Sequence, residues 1–129
     1  MSYSLLLSVG IGGFVGAILR FSLSEWVKQL SSSSFPFGTL SVNILGSLLM
    51  GFLFMYFSQI NFSVHQKLIF TTGLLGALTT FSTFSMDTVI LLQQEFYMKA
   101  ISNIFLNVLL SLGATLVGIF IFKQIKVYF

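Results

Sequence analysis

The feature that most constrains this chain is the spacing of its charges. No Lys, Arg, Asp or Glu occurs in residues 1–19, 29–66, 68–86 or 100–122, and His65 is the one histidine within them. A bilayer-crossing helix needs about 20 predominantly apolar residues. Each charge-free stretch supplies such a run, and we read four spans at residues 4–23, 37–57, 68–92 and 100–122. Residues 31–34 with the only proline, Pro36, residues 61–63 and residues 93–99 read as the links. Only 7% of the 129 residues are charged and mean hydropathy is +1.00, where a soluble domain carries about a quarter charged. The expected fold is an all-α integral membrane protein with one four-helix domain, residues 1–129.

Several functions fall away at once. A soluble enzyme could not cover its surface with nine charges. Six basic residues scattered singly make no nucleic-acid face. With no Cys there is neither a disulfide framework nor a thiolate metal site. Glu25, His65, Asp87 and Glu95 are each isolated, so no pair of titratable groups offers acid–base catalysis. No Lys or Arg precedes the first apolar run and Arg20 follows it, so that run reads as a span and not a cleaved signal.

Four spans put the 57–67 loop and both termini on one side, with Lys67, Lys123 and Lys126. The other side holds Arg20, Lys28 and Lys99. Three against three leaves no positive-inside bias. A chain without that bias is expected to insert both ways up, and opposed copies can pair about a two-fold axis in the membrane plane. The alternative is a single orientation set by other signals.

The chemistry must then be neutral. From Gly73 to Ser85 the third span holds two Gly, three Thr and two Ser. Hydroxyls that bond back to carbonyls and glycines that loosen the helix point to a break near the midplane. Irregular backbone at that depth must be buried in protein or line a cavity, and its freed N–H and C=O ends attract ions. A continuous helix packed through small residues is the competing picture. Phe81 and Phe84 share a helix face, and ring edges carry partial positive charge that suits a small anion; lipid-facing packing is their ordinary role. Asn103, Asn107, Ser111 and Thr115 form one polar stripe at four-residue spacing, which must face protein or water. Asn43, with Ser47 and Gly51 on its face, offers two amide donors to an anion or acts as interhelical glue. Arg20, behind the Gly12–Gly16 packing face, is either an interfacial anchor or a vestibule charge. Asp87 lies shallow. Trp26 and Tyr56 fit interfacial anchoring.

Together these segments resemble the Fluc (CrcB) family of small fluoride channels over nearly the whole chain. Gly12-Gly-Phe-Val-Gly16-Ala-Ile-Leu-Arg20 is similar to the family's first-helix motif, and Gly38-Thr-Leu-Ser-Val-Asn43-Ile-Leu-Gly46 to its second. Gly76-Ala-Leu-Thr-Thr-Phe-Ser-Thr-Phe84-Ser85 is similar to its specific third-helix signature. The resemblance implies passive fluoride conduction with chloride excluded, fluoride export from the cell across the plasma membrane, and an antiparallel dual-topology homodimer with two pores. It implies a Phe box at Phe81 and Phe84, a pore asparagine at Asn43, a polar track through Ser82, Thr83, Ser111 and Thr115, and a vestibule arginine at Arg20. A central structural sodium would be held by the backbone carbonyls of Gly76 and Thr79. Two departures stand out. The acid after the signature, often Glu, is Asp87. A tyrosine often found early in helix four is replaced in the stripe, which leaves the entrance role open between Asn103 and Asn107.

Two other functions compete. A dual-topology proton-coupled small-molecule exporter would need a carboxylate deep in a span, and none is central here. A membrane subunit that only packs against partners would explain the small residues but not the hydroxyl run, the stripe and the balanced charges together.

Overall fold

A computed structural model of the protein describes residues 2–126; residues 1 and 127–129 of the expected domain lie outside them. Among the described residues every regular element is helical. Helix α1 spans Tyr3–Leu30 and α2 spans Phe37–Gln59. The third span is composite. It opens as α3 (Val64–Leu68), widens into a π-helical segment (Ile69–Leu75) and closes with one short turn, α4 (Gly76–Leu78). Two extended residues follow before α5 (Phe81–Gln93), and α6 (Tyr97–Lys126) completes the chain. Helices α1, α2, the composite Val64–Gln93 and α6 are each long and apolar enough to cross a membrane. The chain is a multi-pass membrane protein.

The helices overrun the expected spans where the polar flanks stay helical. Helix α1 continues past residue 23 to Leu30, its exposed last turns carrying Glu25 and Lys28 in an i,i+3 pair at 3.6 Å. The third span starts on a capping box: Ser63 Oγ accepts the Gln66 N–H (3.3 Å) while Gln66 Oε1 accepts the Ser63 N–H (3.0 Å). The expected link at 93–99 shrinks to 94–96. Glu95 takes a left-handed φ of 62° and the Phe96 N–H reaches back to Leu91 O at 2.9 Å, which turns the chain within three residues.

Two seams hold the bundle, and glycine makes both. A Cβ on Gly12 would collide with Ile69 O and one on Gly16 with Leu74 O, so α1 lies backbone to backbone on the π-helical segment. A Cβ on Gly51 would meet Thr115 O and one on Gly118 would meet Leu48 O, which locks α2 to α6 in the same way. Without a hydrophobic drive between helices in lipid, this close approach is the main source of packing energy. The fully buried core is small, made of Val42, Leu75 and Leu78. Outward faces are apolar, with Phe14, Phe21, Leu112 and Leu116 exposed as lipid contact requires. Tyr56 joins Phe52, Phe62 and Phe122 in an aromatic cluster, with ring centroids 5.4–6.2 Å from it. Trp26 stays exposed on α1.

The ends of the bundle sort the charges as expected. Lys126 Nζ donates to Gln59 Oε1 at one end, and Lys99 Nζ donates to Ser34 Oγ at the other.

Candidate functional site

The break falls halfway along the third span, at Thr79 (φ −82°, ψ 155°) and Thr80 (φ −150°, ψ 119°). Both are extended, the conformation a β-branched residue favours. Thr80 then caps α5, its Oγ1 accepting the Thr83 N–H at 3.2 Å.

Breaking a helix inside a membrane strands backbone groups, and these must be paired. Asn43 pairs two of them. Its Oδ1 accepts the Thr80 N–H (2.8 Å) and its Nδ2 donates to Thr80 O (3.1 Å), so a side-chain amide replaces the missing turn. The same Nδ2 donates to Asn107 Oδ1 at 2.9 Å. Both amide hydrogens of Asn43 are thus engaged within the protomer. Asn43 thus ties α2 to the break and to α6 while also lining the groove described below.

The stripe on α6 continues inward from there. Asn107 Nδ2 donates to Asn103 O (3.0 Å) and Asn103 Oδ1 (2.9 Å), and Asn103 Nδ2 donates to Thr88 Oγ1 (2.9 Å). Thr88 in turn donates to Phe84 O at 2.8 Å. Asn103 is 0% exposed and Asn107 6%. Both are buried links between α6 and the break, and Asn107 also borders the groove beside Ser111. Ser111 is half-buried, and Thr115 turns its hydroxyl back to Ser111 O at 3.1 Å.

Two concavities meet at Thr80. One, about 360 Å³, is a groove lined by Asn43, Ser47, Thr79, Phe81, Phe84, Ser111 and their neighbours. The other, about 490 Å³, includes Arg20, Thr39, Thr83 and Asp87. In it Thr39 Oγ1 donates to Asp87 Oδ2 at 2.6 Å. Arg20 is therefore a cavity residue as well as the polar end of the first span.

The phenyl rings of Phe81 and Phe84 lie 5.3 Å apart, tilted by 57°. Their surroundings differ sharply: Phe84 is 8% exposed and Phe81 78%. Phe81 opens a helix with no turn before it, so nothing in the protomer shields it.

The break also leaves carbonyls free. In a continuous helix the Thr80 N–H would serve Gly76 O and the Thr83 N–H would serve Thr79 O. Here the first goes to Asn43 and the second to Thr80 Oγ1. Gly76 is exposed, and a Cβ there would meet only Thr71 O, at 3.6 Å. Thr79 tucks its methyl against Gly46 and donates its hydroxyl to Leu75 O at 3.0 Å.

Of the residues singled out from the sequence, Asn43, Phe81, Phe84, Asn107, Ser111 and Thr79 converge on the groove, and Arg20 and Thr83 on the second cavity. Ser82, Thr115 and Gly76 line neither. Thr80 and Thr88 were not singled out. Thr80 was legible only as part of the hydroxyl run, and Thr88 only as a hydroxyl four residues after Phe84.

Residues 7–119 match the family model described as CrcB-like protein, Camphor Resistance (CrcB). A protein named fluoride-specific ion channel FluC from Sulfurovum sp. is 55% identical, the alignment covering 94% of this chain and 95% of that one. A protein of the same name from Nitratiruptor sp. is 48% identical over 96% of each chain. Another from Shewanella frigidimarina is 50% identical over 87% of this chain and 90% of its own. On a match that spans all four helices and the break between them, the chain belongs to the CrcB family.

Proposed function

We propose that the protein is a fluoride-selective passive channel of the plasma membrane, and so not an enzyme, that lets fluoride leave the cell and relieves its toxicity. The observation that carries this reading is the groove at the break, which offers a small anion partial positive charge and no titratable group. Phe81 and Phe84 supply ring edges, and Ser47 and Ser111 supply hydroxyl donors beside them. The relatives named as fluoride-specific channels support the same ion. A proton-coupled exporter needs an acid deep in the membrane, and the groove lining contains none; Asp87 sits in the Arg20 cavity instead.

Conduction needs a closed path, and the groove of one protomer is open on its Phe81 side. Two copies inserted in opposite senses would cover each other's grooves and give two pores per homodimer. The balance of three basic residues at each end supports that assembly. Arg20 would concentrate anions at the mouth without entering the path, with Thr83 and Ser82 next along it and Thr115 beyond Ser111.

The same assembly would bring the free carbonyls of two breaks together. Gly76 O and Thr79 O fit a hard cation, since each lacks its helical donor and Gly76 has no side chain in the way. A sodium ion held there would neutralise the carbonyl dipoles and tie the two chains. Within one chain, Asn43 and Thr80 Oγ1 keep those carbonyls free by diverting their donors.

Efflux from liposomes into fluoride-free buffer, followed with a fluoride electrode, tests the proposal. Rapid fluoride release with little chloride release and no dependence on a proton gradient is expected. Release that requires a proton gradient, or equal passage of chloride, would overturn it.

A further inference from the structure

Asn103 and Thr88 line neither concavity, yet both are buried, at 0% and 6% exposure. Their bonds belong to a relay whose direction is fixed. The Thr80 N–H is a backbone donor and cannot reverse, so it sets Asn43 Oδ1 as the acceptor. That turns Asn43 Nδ2 toward Asn107 Oδ1, Asn107 Nδ2 toward Asn103 Oδ1, and Asn103 Nδ2 toward Thr88 Oγ1. Thr88 donates its one hydroxyl hydrogen bond to Phe84 O.

The relay starts at the residue before Phe81 and ends on the carbonyl of Phe84. It therefore closes around the first turn of α5 by way of α2 and α6. That turn follows a break, so it has no preceding helix to hold its N–H groups. Its anchor is the pair α2 and α6, which is locked backbone to backbone at Gly51 and Gly118. We infer that Asn107, Asn103 and Thr88 are positioning residues, forming a clamp that fixes the Phe81–Phe84 rings against α6 in a conducting arrangement. The inference rests on the fluoride-channel reading for its functional half. Its structural half, coupling between Thr88 and the Thr80 amide, stands without it.

Thr88→Val keeps the side-chain shape but removes both the acceptor for Asn103 and the donor to Phe84. Thr88→Ser keeps the hydroxyl and drops only a methyl. In liposomes, with flux normalised to assembled protein, Thr88→Val should lower fluoride efflux about tenfold, as expected when a positioning contact is lost. Hydrogen exchange at the Thr80 amide should rise by a similar factor, about tenfold. Thr88→Ser should stay within about twofold of the parent on both readouts, since the bonds survive. If Thr88→Val does not assemble, Thr88→Ala carries the same comparison with a smaller side chain. Undiminished flux in the valine variant, unchanged Thr80 exchange, or equal losses in the valine and serine variants would each overturn the clamp. A parent protein that passes no fluoride would instead sink the channel reading, and the exchange response to Thr88→Val would still support the coupling.

Discussion

The bundle is held in two different ways, and the contrast between them explains where function can sit. At the α1 and α2–α6 seams, glycines bring backbone onto backbone with no side chain between. At the break, α5 is held to its neighbours by an asparagine relay and a threonine cap. The first kind of contact is short-ranged and tolerates no added atom. The second is directional: it tolerates a different shape but not a different pattern of donors and acceptors. A site that must present free carbonyls, ring edges and hydroxyls can be built only from the second kind. The glycine seams supply the rigid frame against which it is set.

The largest effect should therefore come from one methyl group in a seam. Gly12→Ala pushes a Cβ into Ile69 O, with Leu74 N at 2.8 Å, and neither backbone atom can step aside. The expected loss is about 3 kcal/mol or more, at the upper end for overpacking, read as a collapse of the thermal unfolding midpoint in detergent. Gly13→Ala, one residue along, meets nothing within 4 Å and should change stability by less than about 1 kcal/mol, the gain in helix propensity included. Equal losses from the two substitutions would erase the distinction between seam and open face.

Next in size is Asn43→Asp, which attacks the break. The carboxylate can still accept the Thr80 N–H, but it cannot donate to Thr80 O or Asn107 Oδ1 and sets negative charge against both. Roughly 2–3 kcal/mol should be lost, the cost of buried acceptors left without donors. That loss should appear in fluoride-free buffer as well as in its presence. A variant of parental stability that fails only in fluoride conduction would mean that Asn43 serves the ion and not the break.

Much of this division was legible in the sequence, and the physical reason tracks the range of each signal. The Gly12–Gly16 spacing marks a close-packed face because it acts within one helix, although nothing local showed that the face would meet a π-helical segment. The density of Thr and Ser between residues 79 and 85 announced a break. Its position at Thr79–Thr80 depends on Asn43, and no pattern along the chain joins residues 37 apart. The stripe from Asn103 to Thr115 said that α6 must face something polar. That Asn103 would be taken up by Thr88 and Asn107 by Asn43, with Asn107 and Ser111 bordering the groove, needed the fold. The two phenylalanines carried the least reliable signal. An i,i+3 spacing puts them on one face, but it cannot say that the helix begins at the first of them.

That asymmetry yields the smallest stability effects. Phe84 is tucked in at 8% exposure and Phe81 stands out at 78%. Phe84→Ile should cost about 1 kcal/mol through imperfect repacking. Phe81→Ile should change the stability of the isolated protomer by under about 0.5 kcal/mol, as surface substitutions do. Fluoride efflux should behave differently, because both rings line the groove and isoleucine has no aromatic edge to offer an anion. Each variant should then lose throughput, Phe81→Ile without a matching loss of stability. Throughput that falls only in step with stability, large for Phe84→Ile and absent for Phe81→Ile, would reduce the ring pair to packing and leave the hydroxyls and amides of the break as the whole of the path.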